Sequence, residues 1–296
     1  AVTYISGRGD MLVAMFMLLA LLGFLKAQGS TLKVFKVDPW MALSVASLIL
    51  GLLSRETAII FPFLALTLYI SFISKDQFIK SIKRGLISTW PYFVTVLIYG
   101  ILRLTVLNFQ NTLNFYSIPN TYSENLYVRM LTFLPVLWEY LKLLFVPTGL
   151  HMERSAIVYT SLFQWPVWPV VIGLISLLVW LRCLYKKQSS SFKIWLFGLS
   201  WFFISLGPVS GITPINALIY EHWLYLPMVG FWLIISFYLV KLFDHLSRSL
   251  ASGERSKASF VGRWLLVVGL VAYLSFFGYQ TIKRNVLWGN SVEFYK

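Results

Sequence analysis

The sequence predicts an all-α fold: a polytopic membrane helix bundle with about eight spanning helices and one interfacial or re-entrant helix. Hydrophobic residues make up 58% of the 296 residues and charged ones 12%. With a mean hydropathy of +0.74, the chain does not describe a water-facing surface. Apolar windows long enough to cross about 30 Å of hydrocarbon, at about 1.5 Å per helical residue, recur along it. The 25 Lys and Arg residues, against 11 Asp and Glu, fall mostly in short loops between those windows. The net charge of +14 therefore reads as membrane topology, and nucleic acid is not an expected partner.

Spans are expected near residues 11–26, 39–54, 57–73, 88–107, 166–182, 194–211, 224–243 and 263–281. The first three are short and borrow flanking residues or cross thin membrane. Basic residues cluster in four alternate loops: Lys26, Lys33 and Lys36; Lys75, Lys80, Lys83 and Arg84; Arg182, Lys186, Lys187 and Lys193; Lys241, Arg248, Arg255, Lys257 and Arg263. Positive residues near span ends stay on the cytoplasmic side. That puts Asp10, Glu56, Glu124, Glu139, Glu153, Glu221 and Glu293 on the opposite face, where any chemistry belongs.

The apolar segment 127–149, YVRMLTFLPVLWEYLKLLFVPTG, is also long enough to span. A span there would invert every later loop against the charge rule. It also carries Arg129, Glu139, Lys142 and Pro135, and charge at mid-bilayer is costly. It is read as the interfacial or re-entrant helix on the outer face, following an extracytoplasmic loop, QNTLNFYSIPNTYSEN. The single cysteine, Cys183, excludes an internal disulfide and a multi-cysteine metal site. No P-loop, HExxH or CxxC occurs, no repeat of about 20 to 50 residues is visible, and SGERSK is a flexible connector.

Ionisable groups gather in several places on the predicted outer face. SGRGDML sets Arg8 and Asp10 at the start of the first span. Such a pair can anchor a phosphate and supply a carboxylate base or metal ligand, or it can be an ion pair fixing a helix end. The RGD tripeptide precedes a span directly and carries no adhesion reading. In LLSRETAII, Ser54 is expected to cap the next helix, with Glu56 in its first turn facing the positive dipole end. Arg55 opposes that dipole and needs an anion: Glu56, another outer carboxylate or a lipid phosphate. Arg103, near the outer end of its span, must snorkel or enter a polar cavity. GLHMERS joins His151, Glu153 and Arg154, suited to acid–base work or to an ordinary polar loop.

The most informative stretch is GPVSGITPINALIYEHWLYLPMVGF. Gly207, Pro208, Gly211 and Pro214 break the incoming helix, and Glu221 and His222 open the outgoing one beside Tyr220, Trp223 and Tyr225. A broken helix with an ionisable pair at its outer end builds a polar pocket facing a ligand, although Tyr and Trp also populate interface belts for purely structural reasons. His151, His222 and His245 are far apart in sequence. A divalent metal is an option only if Asp10 gains partners from sequence outside this chain.

Six segments in order, YISGRGDMLVAMFMLLALL, LLSRETAIIFPFLALTLY, ILRLTVL, VLWEYLKLLFVPTGLHMERS, WFFISLGPVSGITPINALIYEHWLYLPMVGF and TIKRNVLWGNSVEFYK, cover most of the chain. Together they resemble the GT-C membrane glycosyltransferases. In particular they resemble the transmembrane module of the tetratricopeptide-repeat-containing O-mannosyltransferase-like proteins and their bacterial relatives. The resemblance implies a transferase that moves a sugar, mannose among the candidates, from a polyprenyl-phosphate donor to a protein or other acceptor at the extracytoplasmic face. It implies that residues 1–296 are a single transmembrane domain cut at both ends. The family's catalytic first loop with paired acids would lie before Ala1, and tetratricopeptide repeats would follow Lys296, so the segment is not expected to catalyse alone.

By the same resemblance, Asp10 and Glu221 join the outer catalytic cluster. Arg55 becomes the preferred donor-phosphate contact and Arg103 the second. His222 stands where relatives carry Arg after the Glu, and a neutral or half-charged imidazole holds phosphate less firmly than a guanidinium. Arg8, Glu56, Tyr220, His151 and Glu153 fall to the acceptor or sugar. Beyond the lipid-linked donor no cofactor is implied. The expected setting is a multi-pass integral membrane protein, with compact loops favouring a bacterial inner membrane over the endoplasmic reticulum. Two other readings stand beside this one. A transporter or lipid flippase predicts inverted repeats and mid-bilayer charges, and a non-catalytic scaffold for a repeat domain predicts that the upstream acids are lost.

Overall fold

A computed structural model describes residues 7–29, 38–106, 119–150, 153–154, 157–187, 190–215, 218–251 and 257–289. It is a helix bundle, and seven of its helices are long and apolar enough to cross a membrane. The chain is thus an integral multi-pass membrane protein. The eighth expected span, α2 (Pro39–Ser54), is apolar but shorter than the others.

The first four transmembrane elements pack as up-and-down neighbours. α1 (Arg8–Gln28) opens with Asp10 and closes on Lys26, the arrangement the helix dipole favours. Asp38 caps α2, accepting from the Trp40 amide at 2.8 Å, and Pro39 supplies the preset first helical φ. Lys26 lies over the Trp40 ring, 3.9 Å from its centroid, which ties the end of α1 to the start of α2. α3 (Phe61–Leu68) is preceded by a 3-10 turn, Glu56–Ile60, and followed by a π-helical turn, Tyr69–Ile73, to make one continuous span.

α4 (Phe78–Thr105) begins ten residues before the window read from hydropathy. Its first turns carry Lys80, Lys83 and Arg84, which mask the apolar signal but do not break a helix. At about 42 Å it exceeds the hydrocarbon core. The Gln28 amide donates to Ser88 Oγ at 2.8 Å, so the end of α1 is level with α4 only at Ser88, and the turns before it project past the neighbouring helix. Between these helices a buried hydroxyl chain offsets its own desolvation. Ser44 Oγ meets the Ala20 carbonyl at 2.5 Å and Tyr92 Oη at 2.7 Å.

The segment read as a loop before residue 127 ends in structure. Asn120 closes a capping box on the single turn α5 (Thr121–Glu124), and Asn125 caps α6 (Leu126–Phe145). α6 is absent from the apolar spans and lies against one end of the bundle. Arg129 near its start reaches the carbonyls of Gly211 and Ile212. Tyr140 near its end reaches the Tyr220 carbonyl at 3.5 Å. Both partners lie in the connector between α8 and α9, so α6 does not traverse. Its C-terminal end dips inward, since Tyr273 at the middle of α10 donates to the Phe145 carbonyl at 2.8 Å.

α7 (Val167–Lys186), α8 (Ser190–Leu206), α9 (Pro227–Ala251) and α10 (Lys257–Gly289) complete the bundle. α8 stands between two apolar cores. Phe197 and Trp201 pack with α1 to α4, whereas Phe202 and Leu206 pack with α6 and the connector. α8 and α9 cross in backbone contact at Gly198 and Gly230, where a Cβ on Gly198 would lie 2.7 Å from the Gly230 carbonyl oxygen. Two-residue strands β1 (Glu153–Arg154) and β2 (Ile219–Tyr220) pair antiparallel, with Glu153 opposite Tyr220.

Candidate functional site

At the end of the bundle where α1 begins and α2 ends, three carboxylates meet three guanidinium groups. Asp10 pairs with Arg55, Glu56 with Arg103 at 3.5 Å, and Glu221 with Arg154 at 3.1 Å. The first pair corrects the local expectation. Asp10 turns from Arg8, its exposed neighbour in sequence, to Arg55 in the turn between α2 and α3. Of the three anions open to Arg55, the partner is another carboxylate rather than adjacent Glu56.

The turn that presents Arg55 is built differently from the expected cap. Ser54 does not cap the next helix; its hydroxyl donates back to the Leu50 carbonyl at 2.8 Å. Arg55 itself takes the extended N-cap conformation, φ −163° and ψ 143°, and Glu56 opens the following 3-10 turn. The extended residue swings its guanidinium toward α1. The carboxylate of Glu56 goes the other way, to α4, where Arg103 also donates to Tyr99 Oη at 2.9 Å. One turn therefore links α1, α2, α3 and α4 through two ion pairs. Arg103 enters this network rather than merely snorkelling, and its side chain is 19% exposed.

The connector between α8 and α9 supplies the remaining groups. A 3-10 turn, Gly207–Val209, ends α8, and Gly211 adopts φ +85°, a left-handed conformation that glycine accepts without the usual Cβ penalty. Arg129 locks this bend. Its guanidinium donates to Gly211 O at 2.7 Å and Ser123 O at 2.7 Å, with longer contacts to Tyr122 and Ile212. The connector then pairs β2 with β1, which brings Arg154 to Glu221. Arg154 also donates to the Gly149 carbonyl at 2.5 Å.

Glu221 and His222 lie in a short 3-10 turn, Glu221–Leu224, with the His222 ring 5.2 Å from that of Tyr220. Burial, with the positive charge of Arg55 behind it, lowers the His222 pKa to about 4. At neutral pH the imidazole is therefore uncharged and acts as a hydrogen-bonding group rather than a cation. That separates it chemically from Arg55, Arg103 and Arg154.

The fold thus brings together Asp10, Arg55, Glu56 and Arg103, sets His222 within electrostatic reach of Arg55, and joins Glu221 to Arg154. Glu153 enters through its backbone pairing with Tyr220. His151 lies outside the described residues. Tyr99 received no role from the sequence, and Arg154, noted there only beside His151 and Glu153, was not matched to Glu221. Tyr99 was discoverable, because it stands one helical turn from Arg103 on the same face. The partner of Arg154 was not, because a two-residue bridge leaves no pattern. Among the described residues no three of His, Cys, Asp and Glu come together as a metal-binding group.

No family model matches the chain, and no curated protein and no solved structure matches it.

Proposed function

We propose that this chain is the membrane core of a glycosyltransferase, one that takes a sugar from a polyprenyl-phosphate donor at the extracytoplasmic face and passes it to a protein or other acceptor. The observation that carries this reading is the gathering of Arg55, Arg103 and Arg154 with three carboxylates at one end of an otherwise apolar bundle. A lipid phosphate sits at that depth, with its chain among the helices and its charge at their ends.

Arg55 is the donor-phosphate contact in this proposal. A guanidinium carries five N–H donors, and the pair with Asp10 engages one terminal nitrogen. As the bond between the anomeric carbon and the phosphate oxygen breaks, charge grows on the leaving phosphate, and preorganised Arg55 and Arg103 stabilise it. Asp10 and Glu56 hold those two cations in place. Glu221 and neutral His222 orient sugar or acceptor by hydrogen bonds, and a base from sequence outside this chain takes the acceptor proton. The sugar, with mannose among the candidates, and the bacterial or eukaryotic membrane belong to the same proposal, as do tetratricopeptide repeats beyond Lys296.

The test is sugar transfer by the full-length protein in membranes. Arg55→Ala is expected to lower transfer about 100-fold or more, the usual cost of losing one preorganised charge-stabilising donor. Retention of wild-type transfer and donor binding would refute the assignment. A transporter would need charges along the path, and the ion pairs of the spanning helices instead stand near helix ends.

A further inference from the structure

Phe197 and Trp201 pack α8 into the core of α1 to α4, and another side of α8 borders a cavity away from the charged cluster. This cavity, of about 580 Å³, lies among α6, α7, α8 and α9 and has no charged residue in its lining. Leu137 and Leu141 of α6, Leu174 and Leu177 of α7, Phe202 of α8 and Ile234 of α9 form much of its wall. Trp138 and Trp165 also border it and are 54% and 71% exposed, which marks the mouth. Water finds too few hydrogen-bond partners in such a space, and apolar cavities take apolar ligands. Left empty, the walls forfeit their dispersion contacts.

Two features identify the occupant. α7 is a membrane-crossing helix whose one buried residue among those described is Val167, so the cavity opens beside a helix otherwise surrounded by hydrocarbon. Beside Trp138, about one turn further along α6, Lys142 holds Glu139 at 2.5 Å. An ammonium beside a carboxylate complements a headgroup with one phosphate and one amine. The donor lipid of the proposed transfer is a poor candidate, because α8 separates this cavity from Arg55 and Arg103. The backbone contact of Gly198 with Gly230 leaves no passage for a chain between α8 and α9.

We propose that the cavity holds an acyl chain of a zwitterionic glycerophospholipid, a resident lipid that packs α6 and α7 against α8 and α9. The inference does not depend on the transferase reading.

The experiment uses the full-length protein in bilayer nanodiscs doped with phosphatidylethanolamine carrying a diazirine in mid-chain, followed by photolysis and peptide mapping. Adducts are expected to concentrate on Leu141, Leu174 and Leu177 over the lipid-facing Leu265 and Val268 of α10. A Cβ on Gly173, in the cavity wall, would meet nothing within 4 Å, so Gly173→Leu is the variant that adds bulk to the cavity. It is expected to lower cavity adducts about fivefold, the effect of losing about 1 kcal/mol of binding, with α10 labelling unchanged. Equal labelling of cavity and α10 overturns the proposal, as does displacement of the probe from the cavity by polyprenyl phosphate. Arg55→Ala should lower transfer about 100-fold or more and leave cavity adducts intact, so the two readings fail separately.

Discussion

Asp10, in the first turn of α1, and Arg55, in the turn between α2 and α3, form an ion pair whose side chains are 14% and 26% exposed. Neither charge is fully hydrated, so each depends on the other. Asp10→Asn is expected to lower stability on the order of 1–3 kcal/mol, because Arg55 is left partly buried and unpaired. Adding Arg55→Gln should recover part of that loss. Thermal unfolding of the single and double variants in detergent would measure the coupling, expected at about 0.5–3 kcal/mol. Additive effects would show that the pair contributes nothing.

His222 makes stability depend on pH. The free imidazole takes its proton near 6.5, and burial lowers that value to about 4 in the folded chain. Between the two values the unfolded chain binds more protons, so stability is full above pH 6.5 and falls as pH drops toward 4. His222→Gln has nothing to protonate and should flatten the unfolding midpoint across this window. An unchanged slope would place the pH sensitivity elsewhere.

The crossing of α8 and α9 tolerates no side chain. A Cβ on Gly230 would strike the Gly198 carbonyl oxygen and lie 2.8 Å from Trp201 Cβ. Gly230→Ala is expected to destabilise by about 1–3 kcal/mol through overpacking. Gly269→Ala, where a Cβ meets nothing within 4 Å, should be neutral or stabilise by up to about 1 kcal/mol. Thermal midpoints of the two variants decide it.

Arg129 is 8% exposed and gives its donors to four backbone carbonyls. Arg129→Met removes the charge while keeping much of the volume, and leaves those carbonyls without their donor. A loss of about 2–4 kcal/mol is expected, with the connector bend loosened first. Faster hydrogen exchange at residues 207–212 before global unfolding would show this, and unchanged exchange there would contradict it.

The spans were legible because apolar runs of membrane length carry their own signal. The same signal hid the start of α4, where Lys80, Lys83 and Arg84 interrupt hydropathy but not helix. The reading of residues 127–149 as non-spanning rested on Arg129, Glu139 and Lys142, and α6 does lie against one end. The sequence nevertheless treated Arg129 only as an obstacle to crossing, and its carbonyl partners 82 and 83 residues away could not be seen. Asp10, Arg55, Arg103 and Glu221 were singled out as charges at apolar boundaries. Their pairing was not legible, because it depends on helix adjacency and, for Arg154, on the bridge between β1 and β2.

In the proposed transferase, Arg55 and its neighbours form the phosphate site for a lipid-linked sugar. The most direct measurement is transfer of radiolabelled sugar from polyprenyl-phosphate mannose by membranes containing the full-length protein, wild type against Arg55→Ala, at matched expression. Transfer by the wild type and a loss of about 100-fold or more in the variant is the predicted result. Equal transfer by both would contradict it.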